Sequence, residues 1–220
     1  MRPTPRFKLP ASSRTGPDRD AALTQYRRRA ATYDIELALL EPIRRMAVQR
    51  LSLRPGQTVI DVGCGTGLSL ALLHRGVGAT GRIIGIEQSP EMIAQARTRA
   101  AHAGHANVEL ICAPVEEARI AGRADAALFH FTHDILRRRE ALDHVLPHLK
   151  RGARVVASGL QWAPLWALPV NLLVWGAALR SVSSLQGLER PWNLLAERLV
   201  GFEVRDLMLG AVFLGVGTGR

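Results

Sequence analysis

Three features of this 220-residue chain have the makings of a site. The first is the run Asp61-Val62-Gly63-Cys64-Gly65-Thr66-Gly67, which follows the β-branched residues Val59 and Ile60. Glycines at alternate positions let the backbone turn sharply and let a ligand lie against it with no Cβ between them. Where a helix begins after such a turn, its free N–H groups face a negatively charged group. The second is Glu87, which ends the apolar run Arg82-Ile83-Ile84-Gly85-Ile86. A carboxylate in register with the glycine run accepts hydrogen bonds from both hydroxyls of a ribose and repels a 2′-phosphate. The third is His130-Phe131-Thr132-His133-Asp134. His133 or His130, titrating near neutral pH, is a candidate general base for a hydroxyl or ammonium nucleophile. The alternative is that His130 only lines a pocket through its backbone.

These residues need elements that bring them together, and the chain alternates strand and helix signals. A long helical region, Ala21 to Arg50, is broken or kinked at Pro42 and closed by a Pro-Gly loop. Strand Thr58–Gly63 leads to a helix from about Leu68 to His74, and strand Arg82–Glu87 to a helix that Ser89 caps with Pro90 at its first position. Strand Asn107–Ala113 follows, then strand Ala124–Phe131, a helix through Ala141–Leu149, a turn Lys150–Ala153 and strand Arg154–Leu160. Two closing strands meet near Gly210 and are expected to form an antiparallel hairpin. Repeated strand–helix units imply a doubly wound, Rossmann-like α/β fold: seven strands, mostly parallel, with helices on both faces. In such a sheet the ligand lies beyond the carboxyl ends of the strands, where Gly63, Glu87 and His130 all fall.

Composition narrows the class. The formal charge of +10 and pI near 11.1 suggest a nucleic-acid partner, but the distribution weakens that reading. Residues 1–30 carry seven arginines and a lysine against two aspartates, a surplus of six. Residues 1–20, rich in Pro, Ser and Arg, read as a flexible basic arm, and 21–220 as a single domain. Within it, 21–50 form cap helices and 160–195 an apolar insert or substrate cap. There is no apolar core of a secretory signal, and two cysteines make no disulfide framework, so a cytoplasmic setting is expected. Residues 160–179 carry no charge and hold three of the four tryptophans, yet Pro164, Pro169, Gln161 and Asn171 interrupt them. A helix packed on the sheet or over the pocket is expected there, with a membrane-peripheral element as the sharper alternative. The pairs His102/His105 and His144/His148 are read as solvated helix positions, and no metal is expected, because no acid–histidine signature accompanies them.

Two familiar nucleotide loops do not fit. A dinucleotide site wants a small sixth residue, but Leu68 stands there, and the Gly-Lys-Ser/Thr of a phosphate loop is absent. The string Asp-Val-Gly-Cys-Gly-Thr-Gly instead resembles the first motif of the class I S-adenosylmethionine-dependent methyltransferases of the small-molecule type, over roughly Tyr26 to Leu160 plus the closing strands. The resemblance implies that Asp61 orients the loop and the cofactor's amino group, and that Gly63, Cys64, Gly65, Thr66 and Gly67 cradle its methionine part. It further implies that Glu87 holds the ribose and that Gln88 and Met92 flank the adenine, with His130 and Phe131 lining the pocket. The usual Gly-Asp-Ala is here Ala113-Pro114-Val115-Glu116, so Val115 donates its backbone N–H to the ring and Glu116 replaces the missing acid. Tyr26 and Tyr33, seven apart on one helical face, would close over the cofactor. The expected function is methyl transfer from S-adenosylmethionine to a small apolar or amphipathic acceptor: a metabolite, lipid or quinone-like molecule. The rivals are an RNA or protein methyltransferase that uses the arginine arm, and a non-catalytic cofactor-binding subunit.

Overall fold

A computed structural model describes residues 40–163, 171 and 188–220. The basic arm, Tyr26, Tyr33, the first part of the expected cap helices and most of the uncharged stretch lie outside these residues. The chain forms helix α1 (Glu41–Arg50), strand β1 (Thr58–Val62), helix α2 (Leu70–Val77), strand β2 (Arg82–Glu87), helix α3 (Pro90–His102) and strand β3 (Val108–Cys112). Strand β4 (Ala124–His130), the short helix α4 (His133–Leu136), helix α5 (Arg139–Val145), strand β5 (Leu149–Leu160), the short helix α6 (Asn193–Ala196) and strands β6 (Val200–Leu207) and β7 (Val212–Thr218) complete it.

The strands make one sheet in the order β3-β2-β1-β4-β5-β7-β6. β1 pairs in parallel with β2 and β4, β2 with β3, and β4 with β5, while β7 runs antiparallel between β5 and β6. The expected C-terminal hairpin is therefore present, and the order reverses beside β1, which places the glycine run at the switch point. Continuous burial along β1, β2 and β4 matches strands covered on both faces.

One core layer includes Ile60, Ile84, Phe129, Leu142 and Phe213, with α5 and α6. The opposite layer holds Val59, Leu70, Leu73, Ile83, Ala96 and Leu128, with α1, α2 and α3. Pro42 stands in the first turn of α1, where its missing N–H leaves no helical bond unmade. α2 starts at Leu70, two residues later than expected, because the glycine loop continues to Ser69. β5 starts at Leu149, so the expected turn at Lys150–Ala153 is an irregularity within the strand, marked by a register shift against β4 between Ala124 and Ala126. Ser89 caps α3 as expected, its Oγ accepting from Met92 N–H at 3.3 Å.

Candidate active site

The carboxyl ends of β1, β2 and β4 open into a cleft of about 710 Å³ that includes its solvent-exposed mouth. Gly63, Gly65, Glu87, Gln88, Met92, Val115, His130, Phe131 and His133 line it, which brings together residues spread over 70 positions of sequence. A smaller recess of about 390 Å³ shares Gly63, Gly65, His130 and Phe131 with the cleft, and Asp61, Cys64, Thr66 and Arg44 add to its walls.

Local geometry explains the glycines. Gly63 has φ +72° and Gly65 φ +56°, both in the left-handed region. A Cβ on Gly63 would stand 2.5 Å from Thr132 Cγ2 and 2.9 Å from Ile135 Cδ1, so the loop after β1 and the turn after β4 touch with no room for a side chain. Gly67 serves packing: its Cβ would meet Ala96 of α3 at 3.0 Å, and it lines neither cavity. The Cys64 side chain is buried, its sulfur against Gly85, so only its backbone belongs to the loop surface.

Glu87 is 9% exposed and already holds two backbone groups. One oxygen accepts from Ser89 N–H at 2.9 Å and the other from Gly65 N–H at 3.2 Å. Burial raises its pKa above the usual carboxylate range, against the pull of these hydrogen bonds. Each oxygen keeps a further lone pair, enough for two ribose hydroxyls. Asp61 is buried with Oδ2 unpartnered. Burial pushes its pKa up to about 7; the Arg44 charge acts in the opposite direction and the Glu87 charge in the same one. Arg44 is 3% exposed and ion-paired with Glu41. The sequence reading passed over it because nothing in its spacing separates it from the other arginines of the chain. Ile135 and Arg138 also line the cleft and carry no signal in their spacing, while Thr132 and Asp134 belong to the histidine segment already singled out.

The third segment differs from the expectation in part. Val115 lines the cleft, whereas Pro114 and Glu116 do not. Glu116 is ion-paired with Arg138, and its second oxygen is buried without a partner. Gln88 and Met92 line the cleft, and Met92 is at the same time a core residue, 2% exposed.

His133 is buried and His130, the last residue of β4, is half-buried; desolvation depresses both, His130 to about 3 and His133 to about 4, so neither titrates near neutral pH in this structure. His130 Nδ1 lies 2.7 Å from Ser158 Oγ. His133 Nε2 donates to the Leu160 carbonyl at 2.8 Å, which leaves the Nδ1 lone pair buried and unpartnered. Gly159 makes room for this ring: a Cβ there would stand 2.7 Å from His133 Cε1. Phe131, between the two histidines, has φ +57°, a conformation that a bulky residue adopts only under constraint.

A pH prediction follows. An unfolded histidine titrates near 6.5 and His133 in the fold near 4, so the unfolded state binds the extra proton between those values and stability falls as pH drops through that window. His133→Gln should therefore remove about 2 kcal/mol of the stability lost between pH 7 and pH 5, as read by urea melts at both.

The remaining histidines lie elsewhere. His105 stacks on His74 at 4.0 Å, and His144 donates Nε2–H to Ala118 O at 2.7 Å, so these two are not the solvated positions expected; only His102 is fully exposed. Packing of α2 against the end of α3 and of α5 against the turn at Ala118 draws them in. Among the described residues, no three metal-ligating side chains converge, and no helix is long and apolar enough to cross a membrane.

A mostly parallel seven-stranded sheet, with a glycine cradle and a ribose-type carboxylate at its switch point, defines a Rossmann-like nucleotide-cofactor domain. Residues 59–152 match a family model described as "Methyltransferase domain", and over this span the chain resembles the class I S-adenosylmethionine-dependent methyltransferases. A Streptomyces fradiae protein, described as an uncharacterized 37.1 kDa protein in a transposon, is 33% identical over 174 residues, or 77% of this chain and 47% of that protein. The chain spans less than half the length of this and the other curated relatives it matches. Shorter curated matches are named for arsenite, malonyl-acyl-carrier-protein, ribosomal RNA and ribosomal protein methyltransferases, so the family does not fix the acceptor. The fold is shared with the N-methyltransferase NodS of Bradyrhizobium japonicum in complex with S-adenosylhomocysteine (17% identity, TM-score 0.66, covering 90% of this chain and 98% of that one). It is shared too with the geranyl diphosphate C-methyltransferase of Streptomyces coelicolor (18%, TM-score 0.62, covering 93% and 86%).

The cofactor class is S-adenosylmethionine, and the residues present fit it. The unpartnered Asp61 oxygen and buried Arg44 flank one end of the trough, offering an acceptor to an ammonium and a cation to a carboxylate. Glu87, Met92 and Val115 line the larger cleft that adjoins them, offering a carboxylate and apolar surface to the rest of a nucleoside.

Proposed function

We propose that the protein methylates a small apolar or amphipathic acceptor. The observation that carries this reading is the apolar cluster beside the cleft. Ile43, Leu160, Leu188 and Val212 are buried together, with Phe131, Trp162 and Leu207 packed on them, and Phe131 is shared between this cluster and both cavities. Phe131 brings this cluster to the edge of the cleft, where apolar surface excludes water and favours apolar matter without selecting for charge.

When bound, the cofactor supplies the reactive methyl on a sulfonium; the chain's part is to hold, align and dry the site. In this reading Asp61, Arg44, the glycine loop and Glu87 hold the cofactor, and Gln88, Met92 and Val115 border its ring. His133, neutral at physiological pH with an open Nδ1, takes the proton of an attacking hydroxyl or amine, while His130 is fixed on Ser158. Because burial leaves His133 a weak base, positioning rather than proton transfer supplies most of the rate. Tyr26 and Tyr33 are assigned to the cofactor, and the setting is cytoplasmic.

Two measurements test the reading. Calorimetry should show S-adenosylhomocysteine binding and no NAD binding; the reverse result defeats it. Incubation with cofactor labelled on the methyl should mark a component of lipid or metabolite extracts. Label confined to RNA or protein, lost on removal of residues 1–20, would favour a macromolecular acceptor, and binding without turnover on any fraction would favour a partner subunit.

A further inference from the structure

The turn between β6 and β7 spends backbone strain on holding two apolar side chains in water. Met208 has φ +49° and Leu209 φ +56°, both left-handed, and they are 57% and 65% exposed. Turns with positive φ at both central residues are normally built from Gly, Asn or Asp, because a larger side chain crowds its own carbonyl there. A methionine followed by a leucine, neither with a buried contact to gain, runs against both the local backbone preference and the hydrophobic effect.

Position adds the second observation. Val212 at the start of β7 pairs with Leu160 at the end of β5 and with Leu207 at the end of β6, so the turn lies on the carboxyl edge of the sheet, the edge that bears the cleft. Gln161 N–H donates to Ala211 O at 2.9 Å and Trp162 N–H to Leu188 O at 3.0 Å, which sets the half-buried indole of Trp162 in the strand-end segment beside the turn. Beneath both runs the apolar cluster of Leu160, Leu188, Val212 and Phe131 that leads to the cleft. Charge beside it is balanced, with exposed Arg190 next to exposed Glu189 and exposed Arg205 next to exposed Asp206, while the chain as a whole carries a formal charge of +10.

We infer that this rim seats the domain on an anionic lipid surface, with Met208 and Leu209 inserted among the acyl chains and Trp162 at headgroup depth. A convex turn of two side chains offers little of the broad, complementary area that a stable protein dimer needs. A deformable bilayer accepts such a tip and takes the indole at its interface, and an anionic one attracts a chain of net charge +10. The inference concerns binding and does not rest on the acceptor proposed above.

The test separates docking from folding, because the informative variant relieves strain. Met208→Asn with Leu209→Gly removes both apolar side chains and supplies residues that suit positive φ. The full chain should co-float with vesicles of mixed phosphatidylglycerol and phosphatidylcholine, and less so as salt rises or with phosphatidylcholine alone. The double variant should melt no lower than the parent, bind S-adenosylhomocysteine equally, and partition at least about tenfold more weakly. Absence of the parent from anionic vesicles would overturn the inference. So would a folded variant that floats as well as the parent, or a parent dimer dispersed by the variant without change in flotation. Should the double variant unfold, Leu209→Asn alone carries the same expectations.

Discussion

Glu87→Ala is expected to weaken S-adenosylhomocysteine binding roughly tenfold to a hundredfold, since a hydrogen bond to a charged group is worth about 1.5–3 kcal/mol. From the sequence, Glu87 is a ligand at a strand end whose removal should spare the fold. The structure adds a second consequence. Its two oxygens tie Gly65 N–H and Ser89 N–H to the end of β2, so the variant strands the fully buried Ser89 donor and releases the half-buried Gly65 one. A buried unsatisfied donor costs about 1–3 kcal/mol, so thermal melting should show measurable destabilisation alongside the lost affinity. Calorimetry and melting on the same preparation check both. A folded variant with parental affinity would place the ribose elsewhere and undo the assignment of Glu87.

Gly63→Val should be more damaging still, and mainly to the fold. The backbone there is left-handed at φ +72°, which costs a non-glycine residue about 1–2 kcal/mol. The first carbon of any side chain would also arrive 2.5 Å from Thr132 Cγ2, and the branches would reach further toward Ile135. Overpacking adds typically 1–3 kcal/mol. The sum, roughly 2–5 kcal/mol, is a large share of an ordinary domain's stability, and soluble yield with a urea midpoint would read it. A valine variant as stable as the parent would mean that the loops after β1 and β4 separate readily, contrary to the contact between them.

Much of this was legible before the chain was folded. Alternating apolar runs and helical periods declare a parallel sheet because buried strands and covering helices have different repeats, and the hairpin at Gly210 followed from two short runs and a breaker. Asp61, the glycine run and Glu87 were legible for a local reason: a strand end, a turn and a carboxylate at fixed spacing are properties of contiguous sequence.

What the sequence could not carry was anything that depends on two distant segments meeting. Arg44 is one arginine among many until α1 packs across β4 and β5 and puts it within reach of Asp61. His133 reads as a base near neutral pH until β5 encloses it, takes its Nε2–H on Leu160 and, by removing water, holds it uncharged down to about pH 4. The resemblance offers Glu116 to the adenine amino group, yet Arg138, beyond β4 in the sequence, claims it. Met208 and Leu209 look like two more apolar residues near a turn, and only the backbone shows that both are held left-handed and outward. Desolvation, charge pairing and strain are set by what surrounds a residue in space, and for each of these side chains the neighbours come from another part of the chain.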